Sequence, residues 1–111
     1  MTLAPGEEVD ATTRALAHEP VPADQVVSGR PSTGWVELDD SIGVWEMTPG
    51  AMRDVEADEV FVVLAGSATV EFEEPALPPI ELRAGSVARL AEGMRTVWTV
   101  RETLRKVYIA G

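Results

Sequence analysis

The carboxylate of Glu59 is the side chain in this sequence with the clearest chemical potential. It opens the seven-residue run Glu59 to Ala65, which is otherwise apolar and rich in valine. The run is short for a helix, and its β-branched content favours a buried strand. A carboxylate at the mouth of such a strand is not needed for folding. Glu59 is therefore either a solvated strand end or the acidic group of a cavity, where it could act as a general acid or base.

Short apolar runs separated by turn residues must position this carboxylate. Turn residues are expected at 39–41, 48–51, 66–67, 73–79, 84–85, 92–93 and 102–103, where Gly, Pro, Asp, Ser, Glu and Thr cluster. The runs between them predict strands at 25–27, 34–38, 42–47, 59–65, 68–72, 80–82, 86–90, 96–100 and 106–109. No helical periodicity of useful length follows residue 25. Eight or nine short strands predict an all-β sandwich, barrel or jelly roll, and periodicity alone does not choose among them.

Residues 1–25 differ from the rest of the chain. Pro5, Pro20 and Pro22 lie among acidic residues, and only 12–17 offers a weak helical turn or strand. The prolines keep such a segment extended. We therefore expect an N-terminal arm over 1–25, either disordered or lying across a neighbouring subunit, and one folded domain over 26–111.

Composition narrows the possible functions. The chain has 111 residues and a formal net charge of −10, from nine Lys and Arg against 19 Asp and Glu. This charge repels phosphate backbones and anionic membrane surfaces, so neither nucleic acid nor a membrane is an expected partner. The chain has no cysteine, which excludes a disulfide framework, a zinc ribbon and a thiol nucleophile. We expect a cytoplasmic protein, since the first residues lack the features of a signal peptide.

Glycine spacing around the candidate strand resembles a known family. Gly50, Glu59 and Gly66 resemble the first signature of the cupin superfamily, and Gly85, residues 91–93 and Thr96 resemble the second. The runs 43–46, 96–100 and 104–108 are similar to the small cupins grouped with ureidoglycine aminohydrolase-like and ethanolamine-utilisation cupins. The resemblance covers about residues 26–110. It implies a double-stranded β-helix, the cupin jelly roll, with the arm attached, and a homodimer paired through strands and that arm.

The histidines of the resembled family are missing from this sequence. In metal-dependent cupins three histidines and the glutamate hold a divalent metal. The matching positions here carry Arg53 and Val55, or Met52 and Asp54 with the longer spacing, and Thr96. The single histidine, His18, lies in the arm, where we expect a solvated surface residue. Carboxylate and hydroxyl oxygens are weak substitutes for imidazole. We therefore expect no metal and no other cofactor, with Glu59 as first ligand if a metal binds.

A cavity around Glu59 would still suit a small polar ligand. On the alternation of a strand, Phe61 shares the face of Glu59, and Thr96 and Trp98 point inward from the second motif. Arg53 could pair with Glu59 and keep it ionised. Trp45 and Tyr108 would add apolar area, although both could equally be core or interface residues. Glu46 has a similar but weaker claim. The predicted ligand site is thus Glu59, Arg53, Phe61, Thr96, Trp98, Trp45 and Tyr108.

Three functions fit this pattern. The first is a metal-free cupin that binds a small polar metabolite in its barrel. The second is an enzyme, a hydrolase of ureido or amino compounds or an isomerase, with Glu59 as acid or base. The third is a structural dimer module whose cavity is filled by its own side chains.

Overall fold

Nine β-strands make up the fold in the computed structural model, which describes residues 3–111. Within that range there is no helix. The strands are β1 (His18–Pro20), β2 (Val26–Gly29), β3 (Ser32–Glu37), β4 (Ile42–Met47), β5 (Gly50–Val55), β6 (Glu59–Glu74), β7 (Leu77–Arg83), β8 (Val87–Leu90) and β9 (Arg95–Ala110). Residues 3–111 therefore contain no helix long and apolar enough to span a membrane.

One curled antiparallel sheet contains all nine strands. Its main path runs β1-β3-β4-β9-β5-β2, and β6 pairs with β7, β8 and β9. The two long strands, β6 and β9, run antiparallel from the pair Glu59 and Ala110 to the pair Glu74 and Arg95. The two ends of β9 also pair with different strands, β4 and β5. The sheet therefore closes around a core, and the predicted all-β jelly roll is confirmed.

Two predicted turns are replaced by bulges within long strands. Residues 66–67 and 102–103 do not reverse the chain, because β6 and β9 continue through them with shifts of register. Gly66 has φ of +94°, and a Cβ there would overlap the backbone of Thr103 and Leu104. The glycine thus permits the close approach of the two strands at the bulge.

Two further boundaries differ from the sequence prediction. The segment beginning at Gly50 is strand β5, although its low β-branched content gave no strand signal, because β2 and β9 pair with it on both sides. The proline-rich 73–79 segment was predicted as a loop. Only Pro75 and Ala76 lie between β6 and β7.

The N-terminal arm packs on its own barrel, so the expectation of a disordered arm is wrong. Its expected contact with a neighbouring subunit stays a prediction. Strand β1 pairs with β3 of the same chain. The Arg105 guanidinium donates hydrogen bonds to the carbonyls of Ala11 (3.0 Å) and Arg14 (2.7 Å). Met1 and Thr2, the first residues of the predicted arm, lie outside the described residues.

The core fills the barrel below the mouth where β5 ends and β6 begins. Its largest fully buried side chains are Trp98, Phe61, Met47, Leu90 and Leu104. Trp98 and Phe61 are tilted against each other, with ring centroids 5.7 Å apart. This apolar layer lies directly beneath the polar side chains at the open end of the barrel.

Candidate functional site

A cavity of about 390 Å³ opens at this mouth of the barrel. Its walls come from β3, β4, β5, β6 and β9 and from the β5–β6 connection. All three tryptophans and the one tyrosine of the sequence line it. The lining residues are Trp35, Glu37, Trp45, Asp54, Glu56, Ala57, Asp58, Glu59, Trp98, Lys106, Tyr108 and Ala110. The cavity combines aromatic walls with charged groups, as small-molecule sites do.

An ion pair between Lys106 and Glu59 stands at the inner wall. Lys106 Nζ donates to Glu59 Oε1 over 3.1 Å, and the two side chains are 5% and 15% exposed. The same ammonium lies 4.4 Å from the ring centroid of Phe61, 4.8 Å from Trp45 and 4.9 Å from Trp98. Aromatic faces attract cations, most strongly where water is excluded. The charge of Lys106 is thereby held in place by one carboxylate and three rings.

Strand pairing explains why these groups meet. Lys106 lies directly across from Trp45 on β4, and β9 itself carries Trp98. Buried and less buried residues alternate on both sides of the bulge in β9, so Trp98 and Lys106 both face the interior. Glu59 begins β6, which pairs with this end of β9.

A second carboxylate, Glu56, is buried beside this pair. Its Oε2 accepts hydrogen bonds from Thr96 Oγ1 (2.6 Å) and from Trp98 Nε1 (2.9 Å). Glu56 is 7% exposed, and Thr96 and Trp98 are almost completely buried. Burial of polar groups is costly unless they are hydrogen-bonded, and this contact satisfies both donors. Glu56 therefore fixes the plane of the Trp98 indole in the cavity wall.

A third carboxylate, Asp54, is positioned to exchange protons. Burial, followed by repulsion from Glu56, raises the pKa of Asp54 to about 6. The backbone N–H of Val55 and the charge of Lys106 oppose this shift only in part. Among residues 3–111 no cationic side chain forms a salt bridge with Asp54. Asp54 thus lines the cavity as a carboxyl group whose pKa is raised to about 6.

Tyr108 closes one side of the cavity. Burial raises the pKa of its hydroxyl, and the charges of Glu37 and Glu59 add to the shift. The ring lies over Gly43, where a Cβ would overlap the hydroxyl end of the tyrosine. Glycine at position 43 therefore makes room for Tyr108.

A separate polar network ties the arm to the barrel. Glu46 accepts a hydrogen bond from Arg105 Nε over 2.8 Å, and its other oxygen lies 2.7 Å from His18 Nε2. Burial raises the pKa of Glu46, but the bonds from Arg105 and His18 outweigh it and leave the pKa lowered. The Nδ1 atom of His18 lies 2.8 Å from Ser32 Oγ. His18 is thus a partly buried structural residue, which corrects the expectation of a solvated one, and Glu46 belongs to this network and not to the cavity lining.

The predicted site residues fall into three groups. Glu59, Trp45, Trp98 and Tyr108 line the cavity. Phe61 and Thr96 are fully buried behind the wall, where Phe61 contacts Lys106 and Thr96 binds Glu56. Arg53 is exposed and lines a second, shallow depression with Gln25, Asp54, Val55, Glu73 and Arg95, whereas it is not among the residues that line the cavity. The expected pairing of Arg53 with Glu59 is therefore wrong, and Lys106 takes that place.

The alternation of β5 explains the error at Arg53. Asp54 and Glu56 face the cavity, so Arg53 and Val55 face outward. Of the two spacings considered, the longer one, which matches Asp54, gives the inward position. Sequence reasoning missed Glu56 and Lys106. Lys106 is two residues from Tyr108 on β9, so the alternation that put Tyr108 in the site also puts Lys106 on the inner face.

The donor set does not fit the divalent metal that the cupin fold implies. Among residues 3–111 no three His, Cys, Asp or Glu side chains are grouped so that they could hold a metal ion. The carboxylate that would be the first ligand, Glu59, already binds the Lys106 ammonium. A second cation at Glu59 would meet this fixed positive charge at close range.

The fold is that of a cupin. More narrowly, the chain belongs to the family described as EutQ-like cupin domain, whose profile matches residues 38–108. No curated protein is significantly similar to the sequence.

Solved structures share the fold. A protein of unknown function from the DUF861 family of Pseudomonas syringae pv. tomato is similar with a TM-score of 0.76 and 20% identity, over 93% of this chain and 46% of that one. This chain thus spans about half the length of the Pseudomonas protein. A DUF1255 protein from Acidithiobacillus ferrooxidans matches with a TM-score of 0.62 and 27% identity, over 96% and 98% of the two chains. A putative ethanolamine utilization protein Q from Salmonella typhimurium matches with a TM-score of 0.60 and 16% identity, over 88% of this chain and 96% of that one.

Proposed function

We propose that this chain binds a small polar metabolite in the barrel cavity by means of its own side chains and without a histidine-bound metal. The observation that carries the proposal is the cavity itself. Its volume of about 390 Å³ lies within the range of small-molecule sites, and it is lined by aromatic rings and by converging charged groups.

The side chains that line the cavity offer both polar and apolar contacts to a ligand. Lys106 has three N–H donors, and Glu59 takes one of them. The carboxylate of Asp54, on the neighbouring strand β5, offers acceptor oxygens to the same cavity. Trp45 and Trp98 supply flat apolar area between these polar groups. A ligand with both a donor and an acceptor on a small apolar frame is complementary to this arrangement.

Acid–base catalysis is a second candidate, and Asp54 favours it. A general acid or base works best with a pKa near the working pH, and the pKa of Asp54 is raised to about 6. Glu59, the acid–base residue expected from the sequence, is bound to Lys106 instead. A hydrolase or isomerase of the kind implied by the resemblance to ureidoglycine aminohydrolase-like cupins would therefore use Asp54 for proton transfer.

The open cavity argues against the third candidate, a structural dimer module filled by its own side chains. The homodimer itself stays a prediction. Size-exclusion chromatography with light scattering tests it, and a monomer at micromolar concentration would contradict it.

A thermal-shift screen tests the binding proposal. The probes are small carboxylates, amines, amino acids and ureido compounds, added at millimolar concentration with chelator present. Compounds that bind the native state raise its Tm by mass action. In Ala57→Phe the new ring fills the cavity mouth and the shifts are lost, whereas Ala84→Phe, an equally exposed change in the β7–β8 turn, retains them. The same shifts in both variants, or none in the wild type, would contradict the proposal.

A further inference from the structure

The partner of Glu59 sets this barrel apart from the metal-dependent cupins that its sequence resembles. In those proteins the matching glutamate helps to hold a divalent metal. Here Lys106 Nζ lies 3.1 Å from Glu59 Oε1. We propose that the Lys106 ammonium is a fixed cation that takes the place of the metal and closes the site to metal ions.

The surroundings of Lys106 are those of a cation site. Its nitrogen is 4.4 to 4.9 Å from the centroids of three aromatic rings, and the residue is only 4% exposed. A buried ammonium loses its hydration, and a partner carboxylate together with ring faces offsets that loss. A neutral side chain of the same length would gain nothing from the carboxylate.

The remaining acidic groups do not assemble a metal site around this ammonium. Glu56 uses one carboxylate oxygen for two donors, Thr96 and Trp98. Asp54, on β5, does not complete a group of three carboxylates that could hold a metal ion with Glu56 and Glu59. Any divalent ion that approached Glu59 would also be repelled by Lys106.

A permanent ammonium gives the cavity a positive charge that needs no metal loading. Lys106 lines the cavity together with Trp45, Trp98 and Asp54. The inference concerns the same cavity as the proposed function. The experiments on Lys106 need no organic ligand. The inference about Lys106 and the proposed ligand binding can therefore fail independently of each other.

Metal titration is the first test. Purified wild-type protein is titrated with Mn²⁺ and with Zn²⁺ by calorimetry, and weak surface binding is identified by its persistence in Glu59→Gln. We expect no Glu59-dependent binding tighter than about 1 mM, a level at which the favourable free energy is small. Stoichiometric, tighter binding that disappears in Glu59→Gln would overturn the inference.

Removal of the charge is the second test. Lys106→Met keeps the length of the side chain without its charge. We expect Glu59-dependent Mn²⁺ binding to appear in this variant, at least about tenfold tighter than the 1 mM limit expected for the wild type, because the local repulsion is gone. An unchanged affinity would overturn the inference. The gain should vanish in the double variant Lys106→Met/Glu59→Gln.

Stability provides a readout that does not depend on metal. Removing one partner of a buried ion pair leaves the other charge unpaired, so we expect Lys106→Met to lower Tm by more than about 10 °C. The double variant, which leaves neither charge, should recover most of the loss. Arg101→Met and Glu81→Gln, at an exposed ion pair, are the matched controls and should change Tm little. If Lys106→Met does not fold, recovery of folding in the double variant supports the inference, and a fully stable Lys106→Met contradicts it.

Discussion

Trp98, in the wall of the cavity, donates its indole N–H to the buried carboxylate of Glu56 over 2.9 Å. The same oxygen of Glu56 accepts the hydroxyl proton of Thr96. One acidic side chain from the β5–β6 connection thus fixes the orientation of an aromatic wall that belongs to β9. The shape of the cavity depends on this contact.

Truncating Glu56 should therefore weaken the fold. Glu56→Ala leaves two buried donors without partners, and we expect a loss of about 3 kcal/mol in the free energy of unfolding. Glu56→Gln keeps an acceptor oxygen and should lose about 1 kcal/mol. Urea denaturation measures both. Glu92→Ala, at an exposed turn position, is the control, and a loss as small as the control's in Glu56→Ala would contradict the role of this contact.

The pH dependence of stability should reveal Asp54. Its pKa is about 6 in the folded state against an ordinary value of 3.8, so between these values the folded protein binds more protons than the unfolded chain. Stability from this group therefore falls as pH rises from about 4 to 6 and is constant above that range. Asp54 is partly exposed, so solvent screening reduces the effect to about 1 kcal/mol.

Asp54→Asn removes this titration. We expect it to be about 1 kcal/mol more stable than wild type at pH 7 and equally stable at pH 4. Urea denaturation of both proteins across this pH range gives the difference between their free energies of unfolding. Glu46, whose pKa is lowered, contributes a pH dependence of the opposite sign to both proteins, so its contribution cancels in the difference. Asp24→Asn, exposed and outside the cavity, should track the wild type. A variant less stable than wild type at pH 7 would contradict the assignment.

Two glycines with nearly the same positive φ should respond differently to alanine. Gly66 and Gly85 have φ of +94° and +93°, but a Cβ at Gly66 would overlap backbone atoms, whereas a Cβ at Gly85 would meet open space. We expect Gly85→Ala to lose about 1–2 kcal/mol of stability from the left-handed conformation alone. Gly66→Ala should lose about 4 kcal/mol, because the β6–β9 bulge must also move. Equal losses in thermal or urea unfolding would show that the close approach is not required.

Arg105 should control release of the arm. Its guanidinium, 11% exposed, holds two carbonyls of the arm and Glu46 at once. Arg105→Ala removes charge-assisted bonds, so we expect trypsin to cut after Arg14 about tenfold faster while the barrel stays intact. Mass spectrometry of the digest measures the rate. Arg101→Ala, at an exposed position on the same strand, should leave it unchanged, and equal rates in all three proteins would contradict this role.

Sequence patterns predicted most strands because these strands alternate or carry β-branched runs. They failed where tertiary pairing decides the structure. Strand β5 has little intrinsic strand signal and is held by its neighbours β2 and β9. The sequence predicts a turn at Gly66, but its positive φ serves a bulge inside a long strand.

The candidate site was likewise predicted only where the local sequence pattern was sufficient. Glu59 follows from its isolation at the head of an apolar run, and Trp98 from its position in an alternating strand. The inward positions of β5 depend on a register that spacing alone left open between Arg53 and Asp54. Lys106 was missed because a lysine in a strand is usually solvated, although strand alternation puts it on the face of Tyr108. Its contacts with Phe61, Trp45 and Trp98 become visible only in the three-dimensional structure.

The tryptophans provide the most direct test of ligand binding. Trp35, Trp45 and Trp98 are all the tryptophans of the chain, and all three line the cavity. Their three indole N–H signals in a ¹⁵N-correlated NMR spectrum therefore report on this site and on no other part of the protein.

The first measurement is a titration of ¹⁵N-labelled protein, in the presence of chelator, with the compounds that raise its Tm. We expect saturable shifts of the Trp45 and Trp98 indole signals that are lost in Ala57→Phe and retained in Ala84→Phe. Such shifts would place an organic ligand in a metal-independent cavity. Indole signals that stay unmoved by every compound, or that move only when a divalent metal replaces the chelator, would contradict the proposed function.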